Sequence, residues 1–144
     1  MVPTAAETVP VPEAVGHLVR RVAAWAYANE QPLRALLRLS LDSSTGVSRP
    51  GHRVEWIADA LAPARDKIDS ETFNKLSRAL TLLLGIDPIV VMKDIAGASQ
   101  EQALDTLEWS ARALVEAALS TRASSRRVGK RQQAKRPQQR PISR

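Results

Sequence analysis

Apolar residues recur at every third or fourth position through most of the chain, which is the spacing of amphipathic helices. The first such stretch covers residues 13–29, and a second helix can begin at Pro32 because proline fits the first turn of a helix. Residues 42–51 are polar and contain glycine and proline, so they predict a loop. A third helix is predicted from His52 to Arg65.

The next apolar stretch predicts a fourth helix over residues 70–96, capped at its start by Asp69 or Ser70. Gly85 and Pro88 fall inside this pattern, so we expect either one long kinked helix or two collinear pieces.

The final helix is predicted over residues 100–121. Ser99 and Gln102 have the spacing of a capping box at its start, and Gly97 suits the end of the preceding helix. The whole pattern predicts an all-α fold of five to six helices without a sheet.

The last two predicted helices are joined by a short turn and must therefore form an antiparallel hairpin. Each is apolar over more than half its circumference, so one stripe packs inward while another stays uncovered. We predict that two such hairpins form a four-helix bundle in a homodimer, with Leu83, Ala113 and Ala117 at the interface. A monomer with a fully buried central helix is the alternative.

The net charge of +6 is unevenly distributed. Residues 121–144 hold nine Lys or Arg and no acidic residue, whereas the rest of the chain holds twelve basic and fifteen acidic residues. This tail has few large apolar residues, and we predict that it is disordered. Residues 1–12, rich in proline, predict an extended leader, which leaves residues 13–120 as the folded domain.

The basic tail has two interpretations. It can be a solubilising segment without a specific role, or it can contact nucleic acid nonspecifically through the release of counterions. The candidate contacts are Arg126, Arg127, Lys130, Arg131, Lys135 and Arg136. Aromatic residues do not interleave these charges, so stacking on bases has no platform.

The residue types of common catalytic centres are scarce. The chain has no cysteine, two histidines and no glycine-rich phosphate loop. His52 and Glu55 could contact a metal together, but a third ligand is not evident nearby. We predict no enzyme, no metal site and no cofactor.

Bulky side chains suggest a different kind of site. An apolar pocket between helices can be lined by large or adaptable side chains, although a plain core contains the same residues. The candidates are Trp25, Trp56, Phe73 and Met92. A signal peptide and an apolar run long enough for a membrane span are both lacking, so we expect a cytoplasmic protein without a membrane partner.

Two segments, FNKLSRALTLLLGIDPIVVMKDIAG at 73–97 and LEWSARALVEAAL at 107–119, resemble the C-terminal effector-binding and dimerisation domain of TetR-family transcriptional regulators. The resemblance covers residues 13–120. It implies an all-α domain, a dimer built by the last two helices and an apolar pocket whose small effector controls DNA binding. The family reads DNA through an N-terminal helix-turn-helix module, which residues 1–12 are too short to form.

We therefore predict effector sensing and dimerisation in a transcriptional regulator, with DNA bound by a module absent from this chain or weakly by the tail. The alternative is a helical adaptor, or a dominant-negative partner that forms heterodimers and contacts nucleic acid through its tail. A cavity of about 300 Å³ or more between the helices favours the effector domain.

Overall fold

The structure is a computed structural model that describes residues 9–42, 44, 46 and 51–134, with side chains as far as Thr121. These ranges contain six helices and no strand, which confirms the predicted all-α fold. The helices are α1 (Val11–Ala28), α2 (Glu30–Leu41), α3 (His52–Leu61), α4 (Ser70–Thr81), α5 (Ile86–Val90) and α6 (Gln100–Ala134). A 3-10 turn, Ala62–Lys67, follows α3, and a π-helical turn, Val91–Ile95, follows α5.

Two helix starts are capped by the residues that the sequence predicts. The carboxylate of Asp69 accepts a hydrogen bond of 2.9 Å from the backbone N–H of Thr72, which begins α4. At α6, the amide oxygen of Gln102 accepts from the N–H of Ser99 at 2.9 Å, and the Ser99 hydroxyl accepts in return at 3.2 Å. These local signals are readable from sequence because the capping partners lie within three positions of each other.

The predicted fourth helix is divided into two. α4 ends at Thr81 and α5 begins at Ile86, with a turn between them in which Gly85 has a φ of 91°. Glycine adopts this left-handed conformation without the steric cost of a Cβ, so the turn depends on it. Pro88 lies in the first turn of α5, where a missing N–H breaks no intrahelical bond.

The most extensive contact between helices joins α1 to α6, which run antiparallel. The first and last described helices therefore form the centre of the domain, and α4 packs beside them on α6. Both helices contribute buried stripes to this core: Val15, Val19, Ala23 and Ala26 from α1, and Leu104, Leu107, Ala111 and Val115 from α6.

Ion pairs along the edge of this contact set its register. The guanidinium of Arg20 donates to Asp105 at 2.6 Å and also to Glu101 and Glu108. These carboxylates raise the pKa of Arg20, chiefly through the hydrogen bond to Asp105. About two turns nearer the start of α1, Glu13 accepts a 3.0 Å hydrogen bond from Arg112.

Gly16 lets the two helices approach closely between these ion pairs. A Cβ built at this position would lie 2.7 Å from Cγ of Arg112 and 3.3 Å from Cγ of Glu108. Such a separation is shorter than van der Waals contact, and Cγ cannot swing away as the end of a long side chain can. A glycine inside a helix costs stability by itself, so close packing is the physical reason for its presence here.

The backbone of α6 continues to Ala134, well past residue 121, where we predicted the start of a disordered tail. Alanine, arginine, lysine and glutamine have high helix propensities, and a helix that is already nucleated by a packed stretch extends at little cost. The predicted boundary at residue 121 therefore falls inside α6, and disorder of the tail stays a prediction. Residues 135–144 lie outside the described part of the chain.

We expect Gly16→Ala to destabilise the protein by about 1–2 kcal/mol, because overpacking at the α1–α6 contact outweighs the better helix propensity of alanine. Thermal and urea unfolding measure the change. Gly51→Ala is the matched control, since no heavy atom lies within 4 Å of a Cβ at that position. A Gly16→Ala protein more stable than the wild type would show that α6 can yield at this point.

Candidate functional site

Trp25 and Trp56 lie next to each other on the surface and flank an apolar groove. A depression of about 470 Å³ is lined by both rings and by Leu18, Arg21 and Val22. A second one of about 210 Å³ shares both tryptophans and Val22 and reaches between α1, α2 and α3 to the turn before α5. Together they form what we call the tryptophan groove.

Both indole rings are held at the surface. Trp25 is 55% exposed and Trp56 is 42% exposed, which is unusual for side chains that prefer burial. The imidazole of His52 stacks on Trp56 with ring centroids 6.3 Å apart and an angle of 23° between the planes. This stacking limits the rotation of the Trp56 ring and leaves its position in the groove defined.

The base of the groove is the turn between α4 and α5, held in place by Arg53. The Arg53 guanidinium donates to the carbonyl oxygen of Leu84 at 2.8 Å and to the carboxylate of Asp87 at 2.9 Å. A Cβ at Gly85 would lie 2.9 Å from Cζ of Arg53, so a larger residue would displace the guanidinium, while the φ of 91° is what requires glycine. Arg53 has no local signal in the sequence, because its partners lie 31 and 34 positions away, whereas the mid-pattern Gly85 marks the turn.

The far wall of the groove belongs to α2, whose leucines Leu33, Leu36 and Leu37 line it. This helix has no fully buried residue. Leu33 and Leu37 pack, partly buried, against the core, and polar contacts attach the helix to the π-helical turn after α5. Arg34 donates to both carboxylate oxygens of Asp94, at 2.7 and 2.8 Å, and Lys93 donates to Glu30 at 2.8 Å.

These contacts shift the ionisation of the two carboxylates. The ammonium of Lys93 and, next, the guanidinium of Arg34 lower the pKa of Glu30 from its ordinary value of 4.5. Arg34 lowers the pKa of Asp94 from its ordinary value of 3.8. The folded state therefore favours the ionised forms of Glu30 and Asp94, and the attachment of α2, the wall of the groove, depends on these charges.

We expect α2 to detach in acid before the rest of the domain unfolds. The pKa values of Glu30 and Asp94 are lower in the folded than in the unfolded chain. The ion pairs therefore stabilise the attachment of α2 at pH values above the ordinary pKa values. This stabilisation is lost as the pH falls through the pKa values of the folded state. Hydrogen-exchange protection in α2, corrected for intrinsic rates, should fall between about pH 5 and pH 3 while that in α1 persists.

Arg34→Gln is the variant that isolates this effect. It should already lower α2 protection at neutral pH and should reduce the further loss in acid, because Asp94 no longer has its guanidinium partner. Equal loss of protection in α1 and α2 of the wild type would instead indicate global acid unfolding.

The two other predicted pocket residues lie elsewhere. Phe73 is 6% exposed and faces the core, where the Arg65 guanidinium lies 4.5 Å from its ring centroid. Met92 is half-buried in the π-helical turn. The structure thus brings Trp25 and Trp56 together but does not add Phe73 or Met92 to their groove.

Of the predicted interface residues, Ala113 and Ala117 share one side of α6, whereas Leu83 lies elsewhere. Ala113 lines a different groove, on the outer face of α6, and Ala117 is exposed on the same helix. Leu83 follows α4 and packs against the core with only part of its surface free. A hairpin of the last two helices is not the main packing unit, because α6 packs chiefly on α1.

The predicted nucleic-acid contacts lie where side chains are not described. The backbone of Arg126, Arg127, Lys130 and Arg131 belongs to α6, and Lys135 and Arg136 lie outside the described residues.

Within the described ranges there is no group of three or more side chains that could hold a metal ion. His52 and Glu55 do meet, with Nδ1 3.4 Å from the carboxylate, but as a pair. The helices in the same ranges also lack the combination of length and apolar character required to cross a membrane.

No protein-family model matches the chain, and no curated protein and no solved structure shows significant similarity to it.

Proposed function

We propose that this chain is the effector-sensing and dimerisation domain of a transcriptional regulator, and that the tryptophan groove is its effector site. The observation that carries the proposal is the exposed pair Trp25 and Trp56 over an apolar depression of about 470 Å³. This volume exceeds the roughly 300 Å³ that a small-molecule site needs. A helical adaptor requires no such groove.

The lining favours a flat, apolar ligand with a negatively charged group. Indole rings offer broad faces for stacking, and Val22 and Leu18 add apolar surface beside them. Arg21 lies at the same depression, and among the described residues its guanidinium has no hydrogen bond or ion pair. Its guanidinium is therefore available to a carboxylate or sulfonate on the ligand.

The position of the groove gives occupancy a route to the rest of the domain. Its lining includes Gly85 and Ile86, so a ligand would touch the turn that separates α4 from α5. α5 in turn packs on α1, the main partner of α6. A ligand that prefers one arrangement of this turn would shift the population of domain conformations.

Homodimerisation and control of a DNA-binding module complete the proposal and come from the resemblance to the TetR family. The outer face of α6 supports homodimerisation, because Trp109 is 69% exposed there beside Ala113. Such a regulator acts in the cytoplasm. Contact of the basic tail with nucleic acid stays a prediction.

We expect 8-anilinonaphthalene-1-sulfonate, a flat apolar anion, to bind the tryptophan groove. Trp25→Ala and Trp56→Ala should each weaken binding about tenfold, since an aromatic contact contributes about 1–1.5 kcal/mol. Arg21→Gln should weaken it as well. The measurement is the fluorescence increase of the dye on titration.

Trp109→Ala is the control, because it removes another exposed tryptophan from a different face of the protein. It should leave the dye affinity unchanged. Loss of binding only in Trp109→Ala would place the dye on α6 and contradict the assignment of the groove.

Regulation can be tested by fusing the chain to a DNA-binding head that requires dimerisation and lacks its own dimerisation domain. We expect the fusion to repress a reporter under the operator of that head. A groove ligand found by screening should then relieve repression in the wild type but not in Trp25→Ala. Dye binding without any repression would contradict the regulatory function while leaving a ligand-binding domain.

A further inference from the structure

The helix α6 carries opposite charges in its two halves. Up to Ala117 it holds the acidic residues Glu101, Asp105, Glu108 and Glu116 and a single basic one, Arg112. From Ala118 to Ala134 it holds five basic residues and no acidic one. A helix polarised in this way is complementary to a second copy of itself in the opposite direction.

The two halves of one helix cannot satisfy each other. α6 is continuous to Ala134, so Asp105 and Arg127 are separated by about 33 Å along its axis at about 1.5 Å per residue. Among the described residues, the main ion-pair partner of the acidic half is Arg20, which is shared among three carboxylates. Glu101 and Asp105 remain 68% and 66% exposed, which leaves negative charge facing solvent.

The middle of the same helix has an apolar outer face. Trp109, Ala113 and Ala117 follow one another at intervals of four positions and therefore share one side of the helix. Trp109 is 69% exposed, opposite the stripe that packs into the core. A shallow groove of about 420 Å³ runs beside it, lined by Asp105, Glu108, Trp109, Arg112, Ala113 and Glu116.

We propose that the outer face of α6 binds the outer face of α6 of a second copy, antiparallel, with the two-fold axis at Ala113. In this register the Trp109 ring of each copy covers Ala117 of the other, so a bulky residue meets a small one twice. In this register position 122 of one helix lies opposite 104 of the other and position 126 opposite 100, so Arg122 and Arg126 fall beside Glu101 and Asp105 of the neighbour. This inference rests on the dimerisation part of the proposed function and names its interface.

Charge complementarity selects this occupant over others. A parallel pair would place acid beside acid and base beside base along the whole helix. Binding of nucleic acid to the basic half would leave the acidic half and Trp109 uncovered. Only an antiparallel second copy uses the acidic half, the apolar centre and the basic half together.

Cross-linking tests the orientation directly, because the chain has no cysteine of its own. Thr106 and Ser120 are exposed on α6 at equal distances on either side of Ala113. With a short bismaleimide, a mixture of Thr106→Cys and Ser120→Cys proteins should form a cross-linked dimer. Each variant alone should not, since its two thiols would be about 21 Å apart at a rise of about 1.5 Å per residue.

A parallel dimer would give the opposite pattern, with each variant cross-linked to itself, and would overturn the register. Absence of any cross-link together with a monomeric mass of the wild type in light scattering would overturn the interface. Dye binding in the tryptophan groove is measured independently, so that result would leave the ligand part of the proposed function standing.

Charge reversal tests the role of the two halves. The double variant Glu101→Lys and Asp105→Lys should raise the dimer dissociation constant at least tenfold. The wild-type constant should rise with salt concentration, and that of the double variant should not. The control is Asp59→Lys with Glu71→Lys, which changes the net charge equally on other helices and should leave the constant unchanged. Equal effects of both pairs would show that net charge alone is responsible and would contradict the proposal.

Glu101 and Asp105 also contact Arg20 within the same chain. A second variant is therefore needed to separate a loss of dimerisation from a folding defect. Ala117→Glu makes no contact with α1, and it should give folded monomers with wild-type unfolding temperature. An unchanged dimer mass in Ala117→Glu would overturn the proposed register. Dimers that dissociate on addition of duplex DNA would show that nucleic acid, not a second copy, is the preferred occupant of the basic half.

Discussion

The close packing of α1 on α6 is the contact on which the rest of the domain depends. Gly16 removes the side chain that would separate the helices, and Arg20 then reaches carboxylates on α6 that would otherwise lie too far away. Burial of apolar stripes supplies the attraction, which has no direction of its own. The pair of Glu13 with Arg112 fixes the register, because a shift of one turn would separate the two side chains, whereas Arg20 meets carboxylates on successive turns of α6.

The wall of the tryptophan groove is held by a different kind of force. α2 buries none of its residues fully and is attached through Arg34 and Glu30 to charged side chains on the π-helical turn. Attachments of this type are weak individually and are screened by salt. The site thus combines a rigid side, formed by α1 and α3, with a side that can move without disturbing the core.

Much of the fold could be predicted from sequence because its signals are local. The helices and the caps at Asp69 and Ser99 follow from spacing within one or two turns. The packing partner of α6 could not be predicted, since an apolar stripe shows that a helix is buried but not against which neighbour. For the same reason Phe73 and Trp25 are both predicted from sequence to line a pocket, although Phe73 fills the core and Trp25 lies at the surface. The contact of Arg53 with Leu84 spans 31 positions and has no local signal at all.

The pairing of α1 with α6 also has a consequence for the synthesis of the protein. Glu13 and Arg112 are 99 positions apart, so the main packing partner of α1 is not available until α6 has left the ribosome. Closing so long a loop is entropically costly and makes folding slow relative to helix formation. The nascent chain must therefore carry a partly uncovered amphipathic helix until α6 is available.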